Sequence, residues 1–173
     1  MRLPTAVTGA LILLAVACSG PPGAEGHNNR GFALAEDERW EEAISEYDQA
    51  IELDPEFAIA YNNRGIAHFE MGNAEQAIAD HGKAIELNPN YTLAYYNRGN
   101  EHLRQGNLEQ ALSDLDKAID LDPDFASAYA IRGFTHRELG STGKAISDLG
   151  KAIELDPNLE ADLLPAIDRL RNP

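Results

Sequence analysis

Cysteine is nearly missing from this chain. Cys18 is the only one among 173 residues, which excludes an internal disulfide framework and leaves no CxxC or Cys/His zinc spacing. Basic side chains are scarce too: 14 Lys and Arg against 29 Asp and Glu, a net charge of -15. Such a surface repels nucleic acid and anionic membrane and favours a basic partner, or serves solubility alone. No Gly-rich phosphate loop, Ser/His/Asp set or metal motif is present, so neither an enzymatic activity nor a cofactor is expected. The longest apolar run, residues 6–17, is short of the roughly 20 residues a spanning helix needs. The length suits one domain of ordinary size with extras.

What is present is one phrase said four times. Its clearest version is residues 58–89, AIAYNNRGIAHFEMGNAEQAIADHGKAIELNP, and Pro55, Pro89, Pro123 and Pro157 recur 34 residues apart. The pairs Arg30-Gly31, Arg64-Gly65, Arg98-Gly99 and Arg132-Gly133 keep the same interval. A period of this size marks a solenoid. Tyr61, Gly65, Ala67 and Phe69 fall on a helical period, Gly72-Asn73 breaks it, and Ala77, Ile78, His81, Ala84, Ile85 and Leu87 resume it. Two helices with a short turn can pack antiparallel, the small Gly65 and Ala77 letting their backbones approach. A helical Gly costs about 1 kcal/mol against Ala, so a glycine at every interval implies a packing need. Asp-Pro or Asn-Pro stops one helix, and the Asp or Asn is a candidate N-cap for the next. No such unit buries its apolar face alone, so the array is one cooperative unit.

The pattern resembles the tetratricopeptide repeat, which wants an aromatic, a Gly four residues on, two Ala and an exit Pro. Tyr61, Gly65, Ala77, Ala84 and Pro89 supply these, as do Tyr95, Gly99, Ala111, Ala118 and Pro123, and Tyr129, Gly133, Ala145, Ala152 and Pro157. The first repeat is looser, with His27 in the aromatic place and Glu38 where Gly72, Gly106 and Gly140 make the turn. The resemblance implies an all-α, right-handed α-solenoid of antiparallel helix pairs, with repeats at 24–55, 58–89, 92–123 and 126–157. Helices are expected at 27–37 and 40–53, 57–71 and 74–87, 91–105 and 108–121, and 125–139 and 142–155.

Before the repeats, residues 1–17 read as a signal peptide: Arg2, the apolar run, then Ala15-Val16-Ala17. Cys18 follows at once, an arrangement that resembles a bacterial lipobox, although Ala15 stands where Leu is preferred. By that resemblance Cys18 is lipidated, and Ser19 after it favours the outer membrane in a host that has one. Residues 18–26 then form a Gly/Pro tether. After Pro157, residues 158–173 read as a capping helix with Leu159, Leu163, Ala166, Ile167 and Leu170 on one face, and Pro165 should kink or split it.

Three columns recur inside the repeats. His68, His102 and His136 read as core packing rather than metal ligands. Arg30, Arg64, Arg98 and Arg132 are each followed 16 residues later by Glu46, Asp80, Asp114 and Asp148, which suggests an ion pair between paired helices. Asn29, Asn63 and Asn97, broken by Ile131, fall on the first helices, which in the family line a concave groove. An amide offers both donor and acceptor to a peptide bond. With Asn62, Tyr96 and Asn100 nearby and Phe69 and Leu103 for apolar contact, the expected site holds an extended segment of a partner protein. The Lys with which some family members clamp a terminal carboxylate is missing, since Asn28, Asn62, Tyr96 and Ala130 stand there. The expected role is a non-enzymatic adaptor at the cell envelope; the alternative is a structural subunit of an envelope assembly, using its convex acidic face.

Overall fold

Helix ends in this chain are set by two alternating stops. In the computed structural model, which describes residues 22–172, they delimit α1 (Ala24–Glu36), α2 (Trp40–Leu53), α3 (Ala58–Glu70), α4 (Ala74–Leu87), α5 (Thr92–Arg104), α6 (Leu108–Leu121), α7 (Ala126–Glu138) and α8 (Thr142–Leu155). A 3-10 turn (Pro157–Leu159) and α9 (Glu160–Arg171) follow. The expected signal segment and Cys18 lie outside the described residues. Residues 24–26, expected to lie before the first helix, belong to α1, which begins at Ala24.

Within each repeat the stop is a left-handed residue: Gly72, Gly106 and Gly140 have φ of 78°, 75° and 71°. Gly72 N–H donates to the Phe69 carbonyl at 2.8 Å and Asn73 N–H to that of His68 at 2.8 Å, a paired closure that satisfies the last carbonyls of α3. Glu38 holds the same conformation in the first repeat at φ 57°, although it carries a Cβ.

Between repeats the stop is the Asp/Asn-Pro pair, and here the structure corrects the expectation. Asp54, Asn88 and Asp122 do not cap the next helix; they end the previous one in extended conformation. Their side chains accept the N–H two residues on, at 3.0, 3.1 and 3.1 Å, and turn the chain before a helix that starts without a side-chain cap. Asp156 alone caps a helical turn, the 3-10 turn at Pro157. Pro165 does not split α9, which runs through it; the position is exposed, so the carbonyl it leaves unpaired can be hydrated.

Helices pack as successive antiparallel pairs, and each second helix packs on the next repeat's first helix. First helices also touch one another (α1 to α3, α3 to α5, α5 to α7), whereas second helices make no comparable contact. The first helices therefore lie on the inner side of the array. Each repeat's Gly lies under one large side chain of its partner helix: Gly31 under Tyr47, Gly65 under His81, Gly99 under Leu115 and Gly133 under Leu149, where a Cβ would come within 2.6–2.9 Å. That is the packing need behind the costly glycines. Leu163 and Ile167 of α9 close the last cluster with Leu149 and Ala152.

Candidate functional site

The Arg and acid columns meet as expected. Nε and Nη2 of Arg64 donate to Asp80 at 2.8 and 2.6 Å; Arg98 reaches Asp114 at 2.8 and 2.7 Å, and Arg132 reaches Asp148 at 2.8 and 2.8 Å. Arg30 is the exception, bonding one oxygen of Glu46 that His27 also reaches. Each of the three bidentate guanidiniums also lies over the Tyr of its repeat, 5.3–5.9 Å from the ring centre. Donating to Asp80 and Asp148 raises the pKa of Arg64 and Arg132, and donating to Asp114 raises that of Arg98. Arg64 and Arg132 further bond Asp48 and Asp116 of the preceding repeat. The corresponding neighbour of Arg98 is Gly82, so the second and third repeats are not bridged in this way.

His68, His102 and His136 stand one turn beyond the Arg column, with Nε2 4.0, 3.9 and 3.9 Å from the same three Asp. Burial lowers the pKa of His102 and His136 and keeps both neutral near pH 7. Among the described residues no group of three or more His, Cys, Asp or Glu converges as a metal site.

The Asn residues form a ladder that the sequence pattern does not show. Asn63 Nδ2 donates to Asn28 Oδ1 at 3.0 Å, and Asn97 Nδ2 donates to Asn62 Oδ1 at 3.1 Å. Each rung crosses one repeat boundary. Asn62 is only 1% exposed, so it does not face the groove; it orients Asn97. Asn63 and Asn97 are half-buried, and among the described residues each leaves one N–H and its Oδ1 without a side-chain partner. Asn29 is exposed at the start of the array. At the third boundary the rung is apolar: Tyr96 and Ile131 pack on the cluster of Ala111, Leu115 and Ala118.

Phe69, Tyr96, Asn97 and Asn100 converge, with Ile66, Glu70, His81 and Glu101, on a pocket of about 230 Å³ between the second and third repeats. Leu103 lies further along, lining a separate depression with Leu108, Phe134 and Arg137. One repeat earlier, at the matching place, a pocket of about 200 Å³ is lined by Phe32, Ala35, Glu36, Trp40, Tyr47, Asn63 and Ile66. Trp40 packs there against Ala43, Tyr47 and Ala67, filling core at the end of the array.

Two polar groups of the larger pocket escape the sequence reading. Glu101 is 3% exposed, and its Oε1 meets no hydrogen-bonding partner among the described residues. Burial raises its pKa; Glu70 adds to the rise and Arg104 opposes it. His81 is 1% exposed, its Nδ1 is likewise unpaired, and burial, helped by Arg98, pushes its pKa down to about 3. The available signal is a break in a column: Glu101 stands where Ala33, Ala67 and Thr135 stand, and His81 where Tyr47, Leu115 and Leu149 stand.

Comparison with known proteins adds the following. One family model described as TPR repeat matches residues 31–72, and two described as tetratricopeptide repeat match 58–91 and 92–125, and 126–159. No curated protein matches the sequence. Among solved structures, a crystal structure of MamA protein is 27% identical with a TM-score of 0.71, covering 80% of this chain and 75% of that one. The first TPR of Spaghetti (RPAP3), bound to the HSP90 peptide SRMEEVD, is 26% identical with a TM-score of 0.66, covering 68% and 93%. TTC0263, a thermophilic TPR protein of Thermus thermophilus, shares the fold at 23% identity and a TM-score of 0.72, covering 85% and 80%.

Proposed function

Because the chain belongs to the tetratricopeptide repeat family, a family of protein-interaction scaffolds, we propose that its inner face holds an extended peptide segment of a partner protein without catalysing a reaction. The observation that carries this reading is the amide ladder: Asn63 and Asn97 are each held by one bond and present the rest of the amide to the groove. The RPAP3 repeats, bound to a peptide, lend support at the level of the family. Their ligand is acidic, whereas this groove has Asn28, Asn62, Tyr96 and Ala130 where a Lys clamp would stand, so a different class of segment is expected. A disordered segment loses entropy on docking, so micromolar affinity is expected, weakening with salt. The signal pattern and Cys18 extend the reading: the protein is exported and lipid-anchored, and a partner is sought at the envelope.

Alanine at Asn97 would orphan the buried Asn62 oxygen, so the test transplants the next rung instead, Asn62→Tyr with Asn97→Ile, alongside Asn100→Ala. Both variants should fold and capture the partner from envelope extracts at least tenfold less. Wild-type capture by both would move attention to the convex acidic face and a structural role. Cys18→Ser should release the protein from the membrane fraction; unchanged retention with no acyl mass on the wild-type chain would reject the anchor.

A further inference from the structure

We propose that the pocket between the second and third repeats is an anchor for a basic side chain, Lys or Arg, of the bound segment, with Glu101 as its counter-ion. The inference deepens the groove reading and rests on it.

Three helices build the pocket. Ile66, Phe69 and Glu70 come from α3, His81 from α4, and Tyr96, Asn97, Asn100 and Glu101 from α5. Asn97, Asn100 and Glu101 are spaced three and four residues apart on one helical face, so their polar ends converge. Asn97 is fixed by its bond to Asn62 and keeps its carbonyl oxygen free. Glu101 supplies a buried carboxylate oxygen with no hydrogen-bond donor among the described residues. Burying such a group without a hydrogen bond or opposite charge is costly, and the next repeat shows the cost is avoidable, since Thr135 at the same place satisfies itself on the Ile131 carbonyl at 2.8 Å. Arg104, one turn along α5, acts on Glu101 only at a distance: among the described residues it makes no hydrogen bond to that carboxylate, and its guanidinium sits 4.6 Å over the Phe69 ring.

The chemistry selects the ligand. Glu101 and Glu70 make the pocket repel anions, and its free acceptors suit an N–H-rich cation. Tyr96 adds an aromatic ring, which cations favour. A metal ion is disfavoured, because among the described residues no three His, Cys, Asp or Glu are placed to hold one together, although Glu70, His81 and Glu101 all line the pocket. The space, about 230 Å³, exceeds the roughly 150 Å³ that accommodates benzene in an engineered cavity, enough for one long side chain.

The test uses the full chain and a random dodecapeptide display library as the probe. Peptides enriched on wild type are resynthesised and titrated against wild type, Glu101→Gln, Glu101→Thr, Asn100→Ala and the Asn62→Tyr/Asn97→Ile variant, each checked by circular dichroism. Thr is the residue of the next repeat and keeps the fold accessible; Gln keeps the shape and removes the charge. The expected result is enrichment of one Lys or Arg position. Its replacement by norleucine, or Glu101→Gln or Glu101→Thr in the protein, weakens binding at least tenfold. Peptides that depend on Asn100 and the ladder but are indifferent to Glu101 overturn the anchor while the groove survives. Peptides indifferent to all the variants overturn both. A Glu101→Thr protein that melts higher yet binds as wild type shows the carboxyl to be a packing flaw and also overturns the anchor.

Discussion

The first and second repeat boundaries are built on one plan and finished differently. Both have an Arg-acid pair on either side, an Asn rung across and a pocket at the same place on the inner face. At the first boundary Tyr47, Ile66 and Ala67 fill the interior, and Arg64 ties back to Asp48. At the second, the corresponding residues are His81, Asn100 and Glu101, and Arg98 faces Gly82. The second boundary thus lacks the extra ion pair and buries two unpaired polar groups. A solenoid holds together through nearest-neighbour interfaces, so one junction can be weakened while the others hold the fold. The difference places unpaired polar groups at the second junction, where the first has apolar filling and an extra ion pair.

Cutting the shared plan gives the largest effect. Asp114 is nearly buried, so Asp114→Ala should leave Arg98 without its counter-ion and cost about 3 kcal/mol in urea unfolding. Arg98→Ala should also be costly, and the double variant should cost less than the sum. Strict additivity would reject the direct pair. The same cut in the first repeat, Glu46→Ala, should cost about 1 kcal/mol or less, because that pair is more exposed.

The second boundary should betray itself by pH. Burial holds His81 near a pKa of about 3 in the folded chain, against 6.5 when free. Above pH 6.5 both states are neutral there and the contribution is full. Below it the unfolded chain takes a proton that the folded chain refuses, so stability falls by about 1.4 kcal/mol per pH unit toward pH 3, roughly 2 kcal/mol between pH 6.5 and 5. His81→Leu copies Leu115 and Leu149, which sit over Gly99 and Gly133 as His81 sits over Gly65. It should remove this loss, so the gap between variant and wild type widens on acidification. A constant gap would show that His81 is not held neutral by its burial.

Within the first repeat the weak point is a turn. Glu38 adopts the left-handed conformation that Gly72, Gly106 and Gly140 adopt without a Cβ. Glu38→Gly should therefore stabilise the chain, by about 1 kcal/mol, and bring its first turn level with the others. A lower melting temperature would mean that Glu38 makes up its strain elsewhere.

How far the sequence led follows from what each feature depends on. The second helices were legible to the residue, because a Gly or Glu turn and an Asp/Asn-Pro stop flank each one in the chain itself. The Arg-acid pairs were legible because both partners recur within one repeat. The Asn rungs were not, because Asn97 meets Asn62 only through the offset between stacked repeats. That offset turned Asn62 from an expected groove contact into a buried support. Glu101 and His81 escaped for another reason: each sits on a helical face whose period is correct, and only comparison down the column shows a polar group breaking the pattern.

The smallest expected effect restores the missing tie. Gly82 stands where Asp48 and Asp116 reach the Arg of the following repeat, and a Cβ there would meet Arg98 Nη1 at 3.5 Å, an ordinary contact. Gly82→Asp should let Arg98 bond both neighbours, as Arg64 and Arg132 do. An exposed pair of this kind contributes about 0.2–1 kcal/mol, and exchanging a mid-helix Gly for Asp adds a few tenths. A gain of about 0.5–1 kcal/mol is expected, shrinking in high salt where the pair is screened. Arg98→Lys in the Gly82→Asp background should keep the helical gain and lose most of the salt-dependent part, since an ammonium cannot hold Asp114 by a fork and the introduced carboxylate at once. If Gly82→Asp destabilises, or if its gain is indifferent to salt, the second boundary is not short of an ion pair, and its difference from the first rests on His81 and Glu101 alone.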